Sequence, residues 1–302
     1  MTLIYQTLLV SGTEPPVIDT CPDVHESCIT NSTCLRIAAW NIKVFGNSKI
    51  SNQPVVDIIL QVIYQYDLII IQELKDADCE DQQSENCVFK QLTDQIEIAN
   101  PGKYGFGLST RLSSSGSAQK ELYGYVWNSE KISNAGFHQV VDPNIERPPY
   151  IGLFESNGVK FQTLPLHSKP DFAYEETDKL DDVWYEFINH NVADLNLPEN
   201  DQNPIALGDF NFDSTYVSGC NMGTTCESNA LPGWVWHVNH KEDTTVAVGT
   251  DQAYDRIVSK FSNSFPGTAS CGRAFIYDHL LDDILQPDEV SDHYPVEFVI
   301  NF

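Results

Sequence analysis

Basic residues are scarce in this sequence of 302 residues: 17 Lys and Arg face 43 Asp and Glu, for a formal charge of −26. That balance is the wrong sign for a protein that grips nucleic-acid backbones by charge alone, because such binding rests on Lys and Arg. Long hydrophobic runs are missing too: no apolar stretch approaches the ~20 residues needed to cross a bilayer. Segment Met1–Val10 is apolar, but it lacks a basic flank and is too short for a signal peptide. There is no Cys-x-x-Cys and no Cys/His zinc spacing, which sets zinc modules aside. Internal repeats and low-complexity tracts are absent as well. With 41% hydrophobic residues, the sequence predicts a soluble globular chain able to bury one large core.

What is present begins with eight cysteines. Without metal spacing they predict disulfides and an oxidising compartment, hence a secreted protein. Cys79/Cys87 and Cys220/Cys226 each bracket a short polar loop and form natural local pairs. Cys21, Cys28, Cys34 and Cys271 leave three pairings open, one of which ties an N-terminal extension to the core through Cys271. That extension covers residues 1–34 and carries Pro15-Pro16 and the sequon Asn31-Ser32-Thr33. Residues 35–302 read as one domain.

Hydrophobic periodicity predicts strands near 35–40, 68–72, 104–108, 121–127, 136–141, 149–154, 159–166, 204–208, 234–238, 254–259, 273–277 and 296–301. Helices are expected near 54–65, with Pro54 in the first turn, near 88–99 and over about 173–190. This pattern suits two packed mixed β-sheets flanked by helices, a four-layered α/β sandwich. Several strands end in reactive polar groups. Leu35–Trp40 runs into Asn41, Leu68–Gln72 into Glu73, Phe161–Leu166 into His167, and Pro204–Leu207 into Gly208-Asp209-Phe210-Asn211. Ser291-Asp292-His293 precedes the strand expected at 296–301. Polar groups gathered at strand ends are the pattern of an active site on one edge of a sheet.

The segments LRIAAWNIKVFG (35–46), YDLIIIQELKD (66–76), KELYGYVW (120–127), LHS (166–168), GDFNFD (208–213), AYDRI (253–257) and SDHYPVE (291–297) resemble, in order, those of deoxyribonuclease I and its endonuclease/exonuclease/phosphatase superfamily. The resemblance covers roughly Leu35 to Phe302 and implies the same four-layered sandwich. It implies a DNA endonuclease leaving 5′-phosphate ends, with Asn41, Glu121, His167, Asp209, Asn211, Asp255 and His293 as catalytic candidates. His293 would pair with Asp255 and activate water, while His167 would pair with Glu121 and protonate the departing 3′ oxygen. Glu73, Asp209, Asp292 and Asn41 would hold Mg²⁺ or Mn²⁺, ions that favour hard oxygen ligands. Asp243, Thr245 and Thr250 match a structural Ca²⁺ loop, with one extra residue inserted. Arg147, Lys43, Lys75, Arg111 and Tyr254 would contact substrate. DNA is the expected partner of a monomer with no membrane attachment.

The departures from the family are specific. Lys43 and Lys75 replace arginines, keeping charge but losing the bidentate fork. Gln119 replaces a stacking tyrosine. Ser214 and Gln252 replace both halves of a structural disulfide, and the loop at 141–146 is too short for a second calcium site. Lys43, Lys75, Arg111, Lys120, Arg147, Lys169 and Arg256 lie in or beside the motifs, whereas the acids of 171–182 read as a solvated helix face. An acidic surface that repels DNA at long range predicts a salt-tolerant enzyme, because salt screens the repulsion. Two alternatives remain at this point: a phosphodiesterase or phosphatase acting on lipid or inositol phosphates, and a non-catalytic binding or toxin subunit on the same fold.

Overall fold

The computed structural model describes residue 28 and residues 33–75, 78–80, 84–112, 121–195, 197–198, 201–282 and 285–302. The sequon at Asn31, Cys21, Gln119, Lys120 and nearly all of the expected extension lie outside them. Among the described residues, thirteen strands form two sheets. They are β1 (Cys34–Phe45), β2 (Leu68–Leu74), β3 (Tyr104–Leu108), β4 (Leu122–Asn128), β5 (Ser133–Gln139), β6 (Tyr150–Ser156), β7 (Val159–Pro165), β8 (Pro204–Asp209), β9 (Val235–Trp236), β10 (Asp255–Ser259), β11 (Thr268–Ala269), β12 (Arg273–Ala274) and β13 (Val296–Asn301). Three longer helices cover them: α1 (Gln53–Ile63), α2 (Val88–Ala99) and α3 (Ala173–Leu195).

The first sheet runs β11-β13-β1-β2-β4-β3, with β12 also on β13; the second runs β5-β6-β7-β8-β10-β9. Each is antiparallel except for one central parallel pair, β1 with β2 and β7 with β8. The two parallel pairs are each bridged by a helical crossover, α1 in the first sheet and α3 in the second. The C-terminal ends of these four strands, and the N-terminal ends of β4, β10 and β13 beside them, meet at one edge of the sandwich.

Period-two side-chain alternation builds the layers. From β1, Leu35, Ile37 and Ala39 enter the core between the sheets, joined by Leu68, Ile70, Phe161, Ile205, Leu207, Ile257, Val296, Phe298 and Ile300. The other face of β1, Ala38, Trp40 and Ile42, packs beneath α1 and α2. Helix α1 buries Val55, Val56, Ile58, Ile59, Val62 and Ile63, the stripe of a helix with one dry face. Phe298 is completely buried between the sheets. Phe298→Ala should therefore cost about 3–5 kcal/mol of stability, measurable as a lower urea midpoint at unchanged slope; a midpoint like that of the unaltered protein would contradict this packing.

Several expectations change. The strands expected at 234–238 and 273–277 shrink to two residues each, and the unforeseen β11 adds a short edge. Cys79–Cys87 and Cys220–Cys226 are bonded as the spacing predicts. Cys34 bonds to Cys28, settling half of the open set, and Cys271 is bonded to a partner outside the described residues. The acidic run on α3 is not wholly solvated. Glu176 is 2% exposed and accepts the N–H groups of Glu146 and Lys169, each at 3.2 Å, and burial raises its carboxyl pKa. Asp181 accepts from Trp234 Nε1 at 2.7 Å and Lys260 Nζ at 2.8 Å. Around Ser214 and Gln252, Thr215 Oγ1 donates to Gln252 Oε1 and Ala253 N–H to Asp213 Oδ2 at 3.3 Å, so hydrogen bonds join the two segments.

Candidate active site

Asp209 stands at the centre of the shared edge. It ends β8, is 2% exposed, and its Oδ1 accepts the N–H of Asn211 at 3.0 Å. Its Oδ2 accepts Asn41 Nδ2 at 3.2 Å, a bond that crosses from one sheet to the other. Two imidazoles face that same oxygen. His167 Nε2 lies 3.6 Å from Asp209 Oδ2 and His293 Nε2 lies 3.7 Å from it. Each ring is held from behind: His167 Nδ1 by Glu121 Oε1 at 2.6 Å, and His293 Nδ1 by Asp255 Oδ2 at 2.8 Å. A carboxylate on Nδ1 fixes ring orientation and tautomer, leaving Nε2 for chemistry. Asn41 Nδ2 also reaches Glu73 Oε1 at 3.3 Å. Thus seven residues expected from the sequence converge: Asn41, Glu73, Glu121, His167, Asp209, Asp255 and His293. Asn211 donates Nδ2 to Ser168 O at 3.1 Å, beside His167. Asp292 lies at the rim, 3.9 Å from His293 Nε2, with nearly half its side chain exposed.

The backbone here is strained. Among the described residues, five non-glycine residues have positive φ: Lys43 (45°), Val44 (50°), Glu73 (61°) and Asn211 (48°) at this edge, and Asn157 in a distant turn. For β-branched Val44 that conformation is costly. Such strain persists only where surrounding contacts over-determine it. Lys49 supplies them, donating its Nζ to Ile42 O, Lys43 O and Val290 O at 2.7, 2.6 and 2.9 Å. The turn it clamps presents Val44 N–H to Glu73 Oε2 at 2.8 Å and Lys43 N–H to Asn41 Oδ1 at 3.0 Å. Lys49 is half-buried, and that burial lowers its pKa to about 8.

Three further supports were not foreseen. Gln72 is fully buried, accepts Asp209 N–H at 2.9 Å and donates to Leu166 O at 2.7 Å, so it ties the Glu73, His167 and Asp209 strands together. A Cβ at Gly208 would collide with it, which is why glycine precedes Asp209. Tyr123 hydroxyl accepts His167 N–H at 2.8 Å and donates to Arg147 O at 3.0 Å. Ser291 donates to Asn41 O at 2.6 Å and accepts His293 N–H at 3.1 Å. A polar residue inside the run Leu68–Leu74 was a readable signal for Gln72; Tyr123 and Lys49 gave none.

The expected substrate-contacting residues divide. Arg147 is turned inward. Its Nε donates to His167 O at 2.7 Å and its Nη2 to Ser168 O at 2.6 Å, with Glu121 Oε1 at 3.4 Å from Nε, so it braces the His167 segment. Arg256, counted among the cations near substrate, is fully buried and donates to Val238 O and Phe212 O at 3.1 and 2.7 Å. Lys75 pairs with Glu73 at 2.9 Å, and Lys43 lies 3.6 Å from Asp292. Arg111 precedes Leu112, whose backbone bridges Glu121. Tyr254 packs with its ring centroid 6.4 Å from that of His293. Asp243, Thr245 and Thr250 are gathered: Thr245 Oγ1 meets Asp243 Oδ1 at 2.7 Å and Thr250 Oγ1 at 2.6 Å. That loop is not remote, because Thr245 pairs with His293 and Val246 N–H donates to Asp292 O at 2.9 Å.

Electrostatically the site is acid-rich. Burial raises the Asp255 carboxyl pKa, against the pull of His293. Burial alone would lower His293, but the carboxylates of Asp255 and Asp209 outweigh it and bring its pKa up to about 10. Burial opposes the charged form of Glu73 too, yet His167, Lys75 and the Val44 N–H hold it near 2. Carboxylate and imidazole atoms of Glu73, Glu121 and His167, and of Asp209, Asp255 and His293, lie within 4.8 Å of one another in two groups. With the Asn41 amide between Glu73 and Asp209, this oxygen-dominated donor set fits a hard divalent cation.

No family model matches the chain. It is similar to deoxyribonuclease-1 of Gallus gallus, at 30% identity over 279 residues, 88% of this chain and 92% of that protein. It is also similar to deoxyribonuclease gamma of Mus musculus, at 31% identity over 284 residues, 89% of this chain and 85% of that protein. An endonuclease/exonuclease/phosphatase of Bacteroides vulgatus shares the fold, with a TM-score of 0.57 at 13% identity over 89% of this chain and 99% of that one.

Proposed function

The chain belongs to the deoxyribonuclease I family, and from that premise we propose that it is a secreted, monomeric DNA endonuclease that leaves 5′-phosphate and 3′-hydroxyl ends. The enzyme is a metal-dependent phosphodiester hydrolase. One observation carries the proposal: two histidines, each backed by a carboxylate, face a single carboxylate oxygen from 3.6 and 3.7 Å. Two such rings suit in-line displacement, one handling the attacking water and the other the leaving oxygen. A non-catalytic subunit has no use for them. We take residues 35–302 as the catalytic domain and 1–34 as an extension.

In this reading His293 accepts a proton from water through Nε2, and His167 gives the proton on its Nε2 to the departing 3′ oxygen. Glu121 and Asp255 keep both rings aimed, while Asn211 and Asn41 present amides to the phosphate and to Asp209. Arg147 acts through the His167 segment it braces. Lys43, Lys75, Arg111 and Tyr254 flank the substrate path. A divalent cation, Mg²⁺ or Mn²⁺, held by Glu73, Asp209 and Asn41 with Asp292 nearby, would neutralise charge on the phosphoryl oxygens and relieve the carboxylate field that favours protonated His293. The direct test is supercoiled plasmid with Mg²⁺, with and without EDTA. Nicking that EDTA abolishes is expected; no nicking in Mg²⁺ or Mn²⁺ would overturn the reading. Hydrolysis of inositol phosphates without nicking would point to the phosphatase alternative.

Ca²⁺ is proposed for the loop of Asp243, Thr245 and Thr250. Because a ligand of the native state stabilises it by mass action, millimolar Ca²⁺ should raise the melting temperature, and Asp243→Ala should remove that rise. An unchanged melting temperature in the parent protein argues against the loop.

Salt tolerance is the second refinement. Arg147 and Arg256 are committed internally, and Lys75 and Lys43 lie beside acids, so few cations remain to bind phosphates near the site. Ordinary DNA binders weaken steeply as salt rises, in proportion to the phosphates they neutralise. Here salt mainly shortens the reach of acidic repulsion, to ~10 Å at 0.1 M and ~3 Å at 1 M. Initial nicking rates at fixed Mg²⁺ should hold or rise up to roughly 0.5 M NaCl. A fall of tenfold or more between about 0.05 and 0.2 M, as several phosphate contacts would produce, would exclude it.

A further inference from the structure

His293 stands just before β13, outside the ladder that joins this strand to β1. The pairing runs from Cys34 with Asn301 to Ala39 with Val296 and stops there. Pro295, the next residue back, has no N–H to extend it. On β1 the residue after Ala39 is Trp40, and its side chain takes over. Trp40 is fully buried, and its Nε1 donates to His293 O at 2.9 Å. An indole only donates, so a buried tryptophan needs an acceptor; here the acceptor is the carbonyl of a histidine of the site. The His293 N–H is held as well, by Ser291 Oγ at 3.1 Å, which in turn donates to Asn41 O at 2.6 Å. Both polar groups of the His293 backbone are thus tied towards Trp40 and Asn41, neighbours on β1. Trp40 is itself clamped. Its ring centroid lies 5.4 Å from that of Tyr277, whose hydroxyl donates to Pro287 O at 3.0 Å with Ser291 O at 3.2 Å. Both rings belong to the apolar cluster that also buries Val290 and Tyr294.

We propose that Trp40 is a positioning residue for the hydrolysis, acting through its indole N–H on the backbone of His293; the proposal rests on the endonuclease reading and deepens it. Asp255 fixes the rotation of the His293 ring through Nδ1 but does not fix the backbone that carries it. Trp40 supplies that second constraint, and the two together set Nε2 at 3.7 Å from Asp209 Oδ2. Without the indole donor the His293 carbonyl is free to turn to another partner, and the ring moves with it. Substrate binding does not depend on this bond, because Trp40 is fully buried beneath the sheet. The loss therefore falls on the chemical step.

The experiment measures plasmid nicking by the full chain in Mg²⁺. Trp40→Phe keeps an apolar ring and removes the donor. It should lower kcat by about ten- to a hundredfold, since a misplacement near 1 Å in a reacting group is worth up to ~10² in rate. KM for plasmid should change less than about twofold, as when an interaction serves the transition state alone. In a His293→Ala background the same change should cost less than about twofold further, because a residue that acts through an imidazole has nothing to position once the ring is gone. Trp184→Phe, in the other buried cluster under α3, should leave kcat unchanged. A melting temperature near the parent value certifies the fold. Should Trp40→Phe melt early, benzothienylalanine at position 40 makes the same test, having the shape of tryptophan with sulfur in place of the N–H. The proposal is overturned by a parent-like kcat in the folded variant, by a loss confined to KM, by a full loss in the His293→Ala background, or by an equal loss in Trp184→Phe. In each of these cases a parent enzyme that nicks plasmid keeps the endonuclease reading intact; absence of nicking in the parent would remove both.

Discussion

His167→Ala and His293→Ala should each slow plasmid nicking by about 10²–10⁴-fold, the range over which general acid or base catalysis contributes. The expectation follows from how each ring is held. Glu121 and Asp255 occupy the two Nδ1 atoms, and both Nε2 atoms turn to the same side as Asp209 Oδ2. Neither ring can be replaced by a neighbour, because among the described residues no other histidine lies within 4.0 Å of the Asp209 carboxylate. Glu121→Gln and Asp255→Asn keep the shape and remove the charge behind each ring, so they should cost activity without removing the imidazole. Both histidine variants should fold, since the rings lie at the edge and outside the three large apolar clusters. A purified, folded variant of either histidine that nicks at nearly the parent rate would strip that residue of its role. With His293 as the base, His293→Ala should be rescued by added imidazole, whose free ring can accept a proton from water, more effectively at pH 8 than at pH 6.

Asp209→Asn should lower nicking by about 10²–10³-fold or more, on the scale seen when one preorganised electrostatic group is removed from an active site. The substitution keeps the side chain's size and the Oδ1 acceptor for the Asn211 N–H. It removes the charge that both imidazoles face and that Asn41 shares with Glu73. Two readouts accompany the rate. The Mg²⁺ concentration for half-maximal activity should rise, because one carboxylate has left the donor set. Asp209 is one of the groups that raise His293, so NMR titration of the metal-free protein should show that imidazole deprotonating at lower pH. Parent-like activity with an unmoved His293 titration would remove Asp209 from the centre of the site.

Much of this arrangement could be read from the sequence for a physical reason. Strands buried on both faces are apolar runs, and a reactive group at their end is conspicuous: Asn41, Glu73, His167 and Asp209 all stand where such a run stops. The helices declared themselves by spacing, as in the Val55, Ile58/Ile59, Val62 stripe of α1. What stayed hidden depends on where long side chains go after leaving the backbone. Sequence gives the charge of Arg147, Arg256 and Glu176, but it does not say that carbonyls or amides far along the chain await them inside. Nothing in the sequence marks Lys49, whose three acceptors come from two segments over two hundred residues apart in numbering. The Cys28–Cys34 bond was hidden for a combinatorial reason, four cysteines having three possible pairings. The two-residue strands β9, β11 and β12 carry too little periodicity to be seen.

The position of β13 sets an order of assembly. It lies inside the first sheet, between β1 and the short β11 and β12, and its register pairs Cys34 with Asn301. Closing that pairing requires a very long loop, and contacts of such high sequence separation make folding slow. Until it closes, β1 is an open sheet edge, apolar on both faces, and such edges readily pair with the edges of other chains. Partly folded molecules are therefore at greatest risk of aggregation while they still lack His293 in place. Acquisition of activity and escape from that risk are the same event, the docking of one strand.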